Sequence, residues 1–400
     1  MNQATPTVPA HVPRERVIHF DAARDPALAY DVFKRLDEIR QSAPPIAFTP
    51  YNGGHWMIFE RDDVQTVLTS PEYFTSTHIS AGSIAQGGPP MIPLGMDPPE
   101  HTPWRMVMMK FLGPNRISKL EASIRDKAVE LISALEGQPS CEFVPAVAEP
   151  MPISVFMTLM GLPFERFNEF RELAVKVLSG TSPTAAADPE IVAANESIMG
   201  ILAEVIAARA KSPQDDLISA LLQEKVDGQP IGGQELMSIC YVLFLGGLDT
   251  VTNAMAFGMR TLAQNPTLQQ QMRQNPKEIP ALSEQLLKQN AFINNQRMVK
   301  QDTTLGGVAM KAGDIVWNIN WSGSNVPGEP AGEGRHFAFG AGPHMCAGMH
   351  LARLELRLMY ETWFERIGRF TLSPDNEAIM QGGPIMHIKR LKLDLEPFTA

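Results

Sequence analysis

The residues best suited to chemistry lie in Phe339-Gly340-Ala341-Gly342-Pro343-His344-Met345-Cys346-Ala347-Gly348. This glycine-rich string carries one cysteine to the start of a segment, Met349 to Tyr360, whose apolar residues recur at helical spacing. A cysteine at that point meets unpaired backbone N–H groups and the positive end of the helix dipole. Both favour the thiolate, and the glycines let a flat partner come close to the sulfur. A thiolate held in this way is one of the few protein ligands used for haem iron, where it pushes electron density onto the metal and favours O–O cleavage. The alternative is a buried structural cysteine beside a turn.

A second constellation, Gly246-Gly247-Leu248-Asp249-Thr250, sits inside the apolar segment Ser238 to Leu262. A helix-interior glycine costs about 1 kcal/mol relative to alanine, and buried polar groups need partners. Val242, Gly246 and Thr250 follow one another at i, i+4 and share a face. A glycine on that face leaves room for a ligand, and the threonine hydroxyl can draw a carbonyl out of the helix ladder. A plain helix kink is the competing reading. His101 and Arg105, in Met96-Asp97-Pro98-Pro99-Glu100-His101-Thr102-Pro103-Trp104-Arg105, are also i, i+4 and present one positive face suited to a carboxylate. Outside that context they would read as solvated surface.

The elements that must position these groups are mainly helical. Ala29 to Ser42 predicts a helix, and Ile46 to Phe59 a hairpin turning at Asn52-Gly53. Arg61 to Leu287 predicts mostly helix, Gly306 to Asn320 a second hairpin, and Phe370 to Pro397 short strands. Met1 to Arg14 is polar and proline-containing and predicts a loose arm before one domain over 15–400. The composition, 44% hydrophobic and 20% charged over 400 residues, is that of a soluble globular protein. The start lacks a basic-then-apolar leader, and no uninterrupted apolar run is long enough to span a bilayer, so a cytoplasmic protein with no membrane partner is expected. Three scattered cysteines, Cys141, Cys240 and Cys346, argue against a disulfide framework. A net charge of −10 supplies no basic footprint for nucleic acid.

The cysteine string resembles the haem-binding loop of the cytochrome P-450 superfamily, Phe-Gly-x-Gly-x-His-x-Cys-x-Gly, with every fixed position present. The resemblance implies a mainly α fold with small β-sheets and haem b (iron protoporphyrin IX) between a long distal helix and the cysteine-loop helix. It implies that Cys346 is the axial iron ligand, with Gly348 completing the loop. His344 would bond a propionate, and Phe339 would pack near the sulfur. The Gly246 motif would cross the distal face, Thr250 helping to hold dioxygen and its water while Asp249 relays protons. His101, Arg105 and Arg297 would bind propionates. Further strings, among them Asn52-Gly53-Gly54-His55-Trp56 and Gly246-Gly247-Leu248-Asp249-Thr250-Val251, are similar to the bacterial camphor 5-monooxygenase branch. Its members are monomeric three-component enzymes fed by an iron–sulfur ferredoxin and a flavin reductase using NAD(P)H.

The chain also departs from the family pattern. A Glu-x-x-Arg pair is replaced by Gln285 and Lys288, and the meander between Asn325 and His336 is shortened. A neutral hydrogen-bonded substitute around Gln285 is expected, with Glu284 and Lys288 forming at most a surface pair. The stretch Gly87 to Leu94 has no tyrosine, the camphor enzyme's ketone donor, and Pro89 has no N–H at all. Positions expected to line the substrate pocket are Met91, Leu94, Val242, Leu245, Ile293, Asn295 and Ile385, a small apolar cavity with an amide at one edge. The leading expectation is a haem-thiolate monooxygenase acting with O2 on a small hydrophobic terpenoid or aromatic. A peroxide-driven oxygenase and a haem-binding protein without turnover are the alternatives.

Overall fold

The computed structural model describes residues 7–77, 91–179, 188–330, 332–375 and 379–398. Residues 1–6 of the expected arm and the stretch 87–90 lie outside them. The expected first helix begins three residues late, at Val32–Ser42, because Asp31 caps it by accepting from the Phe33 and Lys34 N–H groups. The preceding Pro26–Ala29 is a separate 3-10 turn capped by Asp25. The first hairpin forms as expected. Ile46–Thr49 pairs antiparallel with His55–Ile58, and the turn is made by Asn52, Gly53 and Gly54, all at positive φ.

That hairpin is the edge of a five-stranded sheet in the order Ile46–Thr49, His55–Ile58, Ile315–Ile319, Asn294–Val299, Phe74–Thr75. The second and third strands run parallel and the other pairs antiparallel. The second expected hairpin is displaced. Thr303–Leu305 and Val308–Met310 form it, turning at Gly306-Gly307, while Ile315–Ile319 joins the large sheet. The cause is Asp314, whose Oδ2 accepts from His11 Nε2, Trp56 Nε1 and the Lys311 N–H, and so fixes the strand that follows beside Trp56. The same bond changes the picture of the arm, since His11 is held at 2.9 Å from Asp314 and Val12 is buried.

The axis of the molecule is a 31-residue helix, Gly233–Ala263. With Pro189–Lys211 it is one of two described helices long and apolar enough on average to cross a membrane, although Asp249, Thr250 and Asn253 interrupt its apolar run. Its apolar faces are accounted for by packing: Phe244, Leu248, Met255 and Phe257 are buried in the main core. The helix Met349–Arg366 crosses it so closely that a Cβ on Gly258 would collide with the Tyr360 hydroxyl. Behind that crossing, Trp363 makes edge contacts with Phe143 and Phe370, both at 5.4 Å between centroids.

Candidate active site

The cysteine loop is shaped by its own backbone. Gly340 donates to the Phe337 carbonyl at 2.9 Å, Met345 to Gly342 at 3.1 Å and Cys346 to Phe339 at 2.9 Å. Gly342 sits at φ 69°, where a side chain would be strained and would strike the Leu68 carbonyl at the end of the helix Arg61–Thr69. Cys346 thus reaches the start of Met349–Arg366, whose N-cap is Gly348. Burial pushes the Cys346 thiol up, while the Gly348 N–H, Arg105 and Arg353 pull it down without prevailing. The helix-end stabilisation expected from sequence is present but insufficient, and a bound cation is what would make the thiolate outright. Arg105 donates to the Met345 carbonyl, and the Arg353 guanidinium lies 4.5 Å over the Phe339 ring.

The second constellation lies in the middle of Gly233–Ala263. Between Leu236 and Ala263 Gly246 alone is exposed, and a Cβ there would meet nothing within 4 Å. The Thr250 hydroxyl donates to the Gly246 carbonyl at 2.6 Å. Asp249 accepts at Oδ1 from Asn253 Nδ2 at 3.0 Å, and Oδ2 is buried without a partner. Val242 and Leu245 are part-exposed on the same helix, and Ile293 bridges Ile385 across two short backbone segments. The Ile92 N–H donates to Ser238 Oγ at 2.9 Å, tying the Met91–Leu94 stretch to this helix, with Met91 buried and Leu94 exposed. Asn295 is engaged elsewhere. Its Oδ1 accepts from Asn320 Nδ2 at 2.6 Å and faces Gly340 of the cysteine loop, so it is not a free amide at a pocket edge.

A third cluster is basic. The rings of His101 and His344 lie 4.4 Å apart, and Nε2 of each is buried with no partner. Buried Arg297 donates to the Gln296 carbonyl. Burial, then Arg297 and His101, lowers His344 to about 3; burial lowers Arg297 to about 10; burial and then Arg105 lower His101. Two orphaned imidazole nitrogens beside a buried guanidinium suit an anion carrying more than one carboxylate. Among the described residues no three His, Cys, Asp or Glu side chains converge to hold a metal. Iron at Cys346 would therefore draw its other ligands from a macrocycle. The open face at Gly246, the single thiol of the glycine-rich loop and the orphaned histidines fit haem.

The expected neutral substitute behind the loop is not what forms. Lys288, buried on the helix Ile279–Gln289, donates to Glu329 Oε2 at 2.6 Å and also to the Glu333 carbonyl. Glu329 in turn takes both Arg61 nitrogens, at 2.8 and 2.7 Å, and those contacts, led by Arg61 and followed by Lys288, hold it at about 2. The brace is thus ionic with its polarity reversed: the cation comes from the helix and the carboxylate from the shortened segment. Gln285 only packs against Gly332 there. Nor do Glu284 and Lys288 pair. Glu284 turns to the cysteine helix, where Arg353 Nε and Nη2 donate at 2.5 and 3.0 Å and His336 Nε2 lies at 3.1 Å. Arg353 offers it a fork that a lysine lacks. Asn253 was within reach of sequence reasoning, being i+4 from Asp249; His387, Glu329 and Arg353 carried no local signal.

Comparisons with known proteins agree with this geometry. The family model "Cytochrome P450" matches residues 96–327 and 319–392. The chain is 30% identical to a probable cytochrome P450 127A1 of Sinorhizobium fredii, covering 97% of each. It is 27% identical to the linalool 8-monooxygenase of Pseudomonas putida, over 91% of this chain and 89% of that one. Among solved structures, CYP101J2 superposes with a TM-score of 0.86 at 30% identity, covering 98% of this chain and all of that one. CYP101C1 gives 0.87 at 29% over the same shares.

Proposed function

The chain belongs to the cytochrome P450 family and is a haem-thiolate monooxygenase using cysteine-ligated haem b, and from that premise we propose how its own residues divide the work. When bound, the haem supplies the oxidising chemistry. Cys346 would ligate the iron as a thiolate, with Phe339 and Gly348 shielding its sulfur. His101, His344 and Arg297 would receive the two carboxylates, the buried histidine nitrogens and the guanidinium donating to them. Arg105 braces the loop through the Met345 carbonyl and lies beside the same anions. Residues 15–400 act as one unit around this centre, and His11 and Val12 of the preceding arm are packed onto it.

The observation that carries the reading is the pairing of Thr250 with Gly246. The 2.6 Å bond pulls the hydroxyl onto a carbonyl of its own helix, beside a residue that has no side chain and open space around it. Thr250 can thus hold a polar guest against Gly246, while the unpartnered Asp249 Oδ2 holds or passes a proton. Met91, Val242, Leu245, Ile293 and Ile385 give the substrate an apolar surface and exclude water from it. We read the substrate as a small hydrophobic molecule of terpenoid or aromatic type. The named relative that acts on linalool supports a terpenoid. Electrons come from an iron–sulfur ferredoxin and its flavin reductase using NAD(P)H, docking on the Cys346 side. The ionic Lys288–Glu329–Arg61 set removes the argument for a haem protein without turnover, because the loop is braced after all.

The test is reconstitution with a bacterial ferredoxin and reductase, after a screen of monoterpenes and small aromatics for low- to high-spin conversion. Substrates that shift the spin state should be hydroxylated, and Thr250→Ala should consume NAD(P)H while making less product. Equal coupling in wild type and Thr250→Ala would overturn the assignment.

A further inference from the structure

Asp249 has a second neighbour, brought to it only by the fold. His387, on the short strand His387–Ile388, places Nδ1 3.4 Å from Asp249 Oδ1 and 3.1 Å from Asn253 Nδ2. The amide of Asn253 is oriented without ambiguity, because its Oδ1 accepts from the Ile388 N–H at 3.2 Å. Its Nδ2 then faces three acceptors: the Asp249 carbonyl at 2.9 Å, Asp249 Oδ1 at 3.0 Å and His387 Nδ1 at 3.1 Å. An amide nitrogen has two hydrogens, so one of these contacts is not a bond that Asn253 donates. The carboxylate has the strongest claim, since a bond to a charged acceptor is about twice as strong as a neutral one, and of the two neutral acceptors the carbonyl is the nearer, at 2.9 Å against 3.1 Å.

We infer that His387 is a positioning residue for Asp249, carrying its hydrogen on Nδ1 and donating it to Oδ1. The inference rests on the reading of Asp249 given above. Two donors, Asn253 and His387, then hold Oδ1 on the side of the strand, and Oδ2, buried and unpartnered, is the free atom of the carboxylate. A carboxylate that is to hold or pass a proton next to Thr250 needs one oxygen fixed and one available. The neighbouring charges on His387's own strand segment are Lys389 and Arg390, both exposed, and across from it the helix Gly233–Ala263 supplies Asp249. Among the described residues, Asp249 is the one carboxylate in contact with this imidazole.

The experiment uses the haem-loaded enzyme. Histidine is labelled with 15N, and the ferrous, carbon-monoxide-bound protein, which is diamagnetic, is examined by NMR at neutral pH. The His387 signals are identified by their loss in His387→Asn. The expected result is a hydrogen on Nδ1 in the wild type, lost to the other tautomer in Asp249→Asn. A wild-type hydrogen on Nε2, with Nδ1 accepting from Asn253, overturns the inference without any variant. Coupling is read in parallel. His387→Asn keeps a donor near the Nδ1 position and should retain product per NAD(P)H, whereas His387→Phe should lose on the order of tenfold, less than the roughly hundredfold or more that a placed acid or base contributes, because His387 acts only through Asp249. Normal coupling in His387→Phe beside a defect in Asp249→Asn sinks the role of His387 alone. Normal coupling in Asp249→Asn sinks the reading of Asp249 on which it rests.

Discussion

Glu355 lies on the cysteine helix, 1% exposed, with Oε2 buried and unpartnered. Burial raises its carboxyl well above the ordinary value of 4.5. In the folded protein it therefore keeps a proton that the unfolded chain releases above that value. Below pH 4.5 both states are protonated, and Glu355 adds no pH dependence. Above it the native state binds one more proton than the unfolded state, so stability falls as pH rises, by about 1.4 kcal/mol per pH unit until the folded group itself ionises. Glu355→Gln has nearly the same shape and never ionises. Its stability relative to wild type should climb as pH rises through 5.5, 6.5 and 7.5, by at most about 1.4 kcal/mol per pH unit. The assay is urea unfolding of both haem-loaded proteins at these three values, followed by far-ultraviolet circular dichroism. A difference that stays constant across the series would refute the neutral buried acid, and a difference that shrinks would reverse its sign.

The Glu284 cluster should behave oppositely. Burial tends to raise this carboxyl, but His336 and Arg353 outweigh that and hold it at about 2. Its contribution is present above pH 4.5 and lost as pH falls toward 2. With the side chain 36% exposed, solvent screening limits it to about 1 kcal/mol. Acid titration of Glu284→Gln should thus start from a lower stability at pH 6 and converge with wild type only as pH falls to about 2. In the reversed brace, Glu329→Gln leaves buried Lys288 without its anion, whereas Lys288→Met leaves Arg61 and Glu329 paired. Thermal melts should rank Glu329→Gln below Lys288→Met, with the double variant regaining part of the loss; equal losses would place Lys288 outside the brace.

Much of the site could be read along the chain because its signals are local. The cysteine loop, the Gly246–Thr250 run and the His101–Arg105 face each lie within ten residues, where glycine, helical spacing and capping act. The first hairpin was legible for the same reason, through Asn52-Gly53. What escaped depends on partners far apart in sequence. Ile315–Ile319 was assigned to a hairpin because nothing local shows that Asp314 would be claimed by His11 and Trp56. The brace was expected to be neutral because Gln285 and Lys288 were compared with a pattern, while their partner, Glu329, sits in an irregular segment. His387 is a lone histidine on a two-residue strand, and only the fold brings it to Asp249. Asn295 looked like a pocket amide until Asn320 was seen beside it.

The claim on which everything else depends is that Cys346 ligates haem iron as a thiolate. Reduction of the purified, haem-loaded protein with dithionite, followed by carbon monoxide, tests it in one spectrum. The account expects the strongly red-shifted Soret band of a thiolate-ligated carbonyl complex in the wild type, and its absence in Cys346→His, which can still bind haem through nitrogen. A wild-type Soret band at the position typical of histidine-ligated haem, or an unchanged spectrum in Cys346→His, would contradict it.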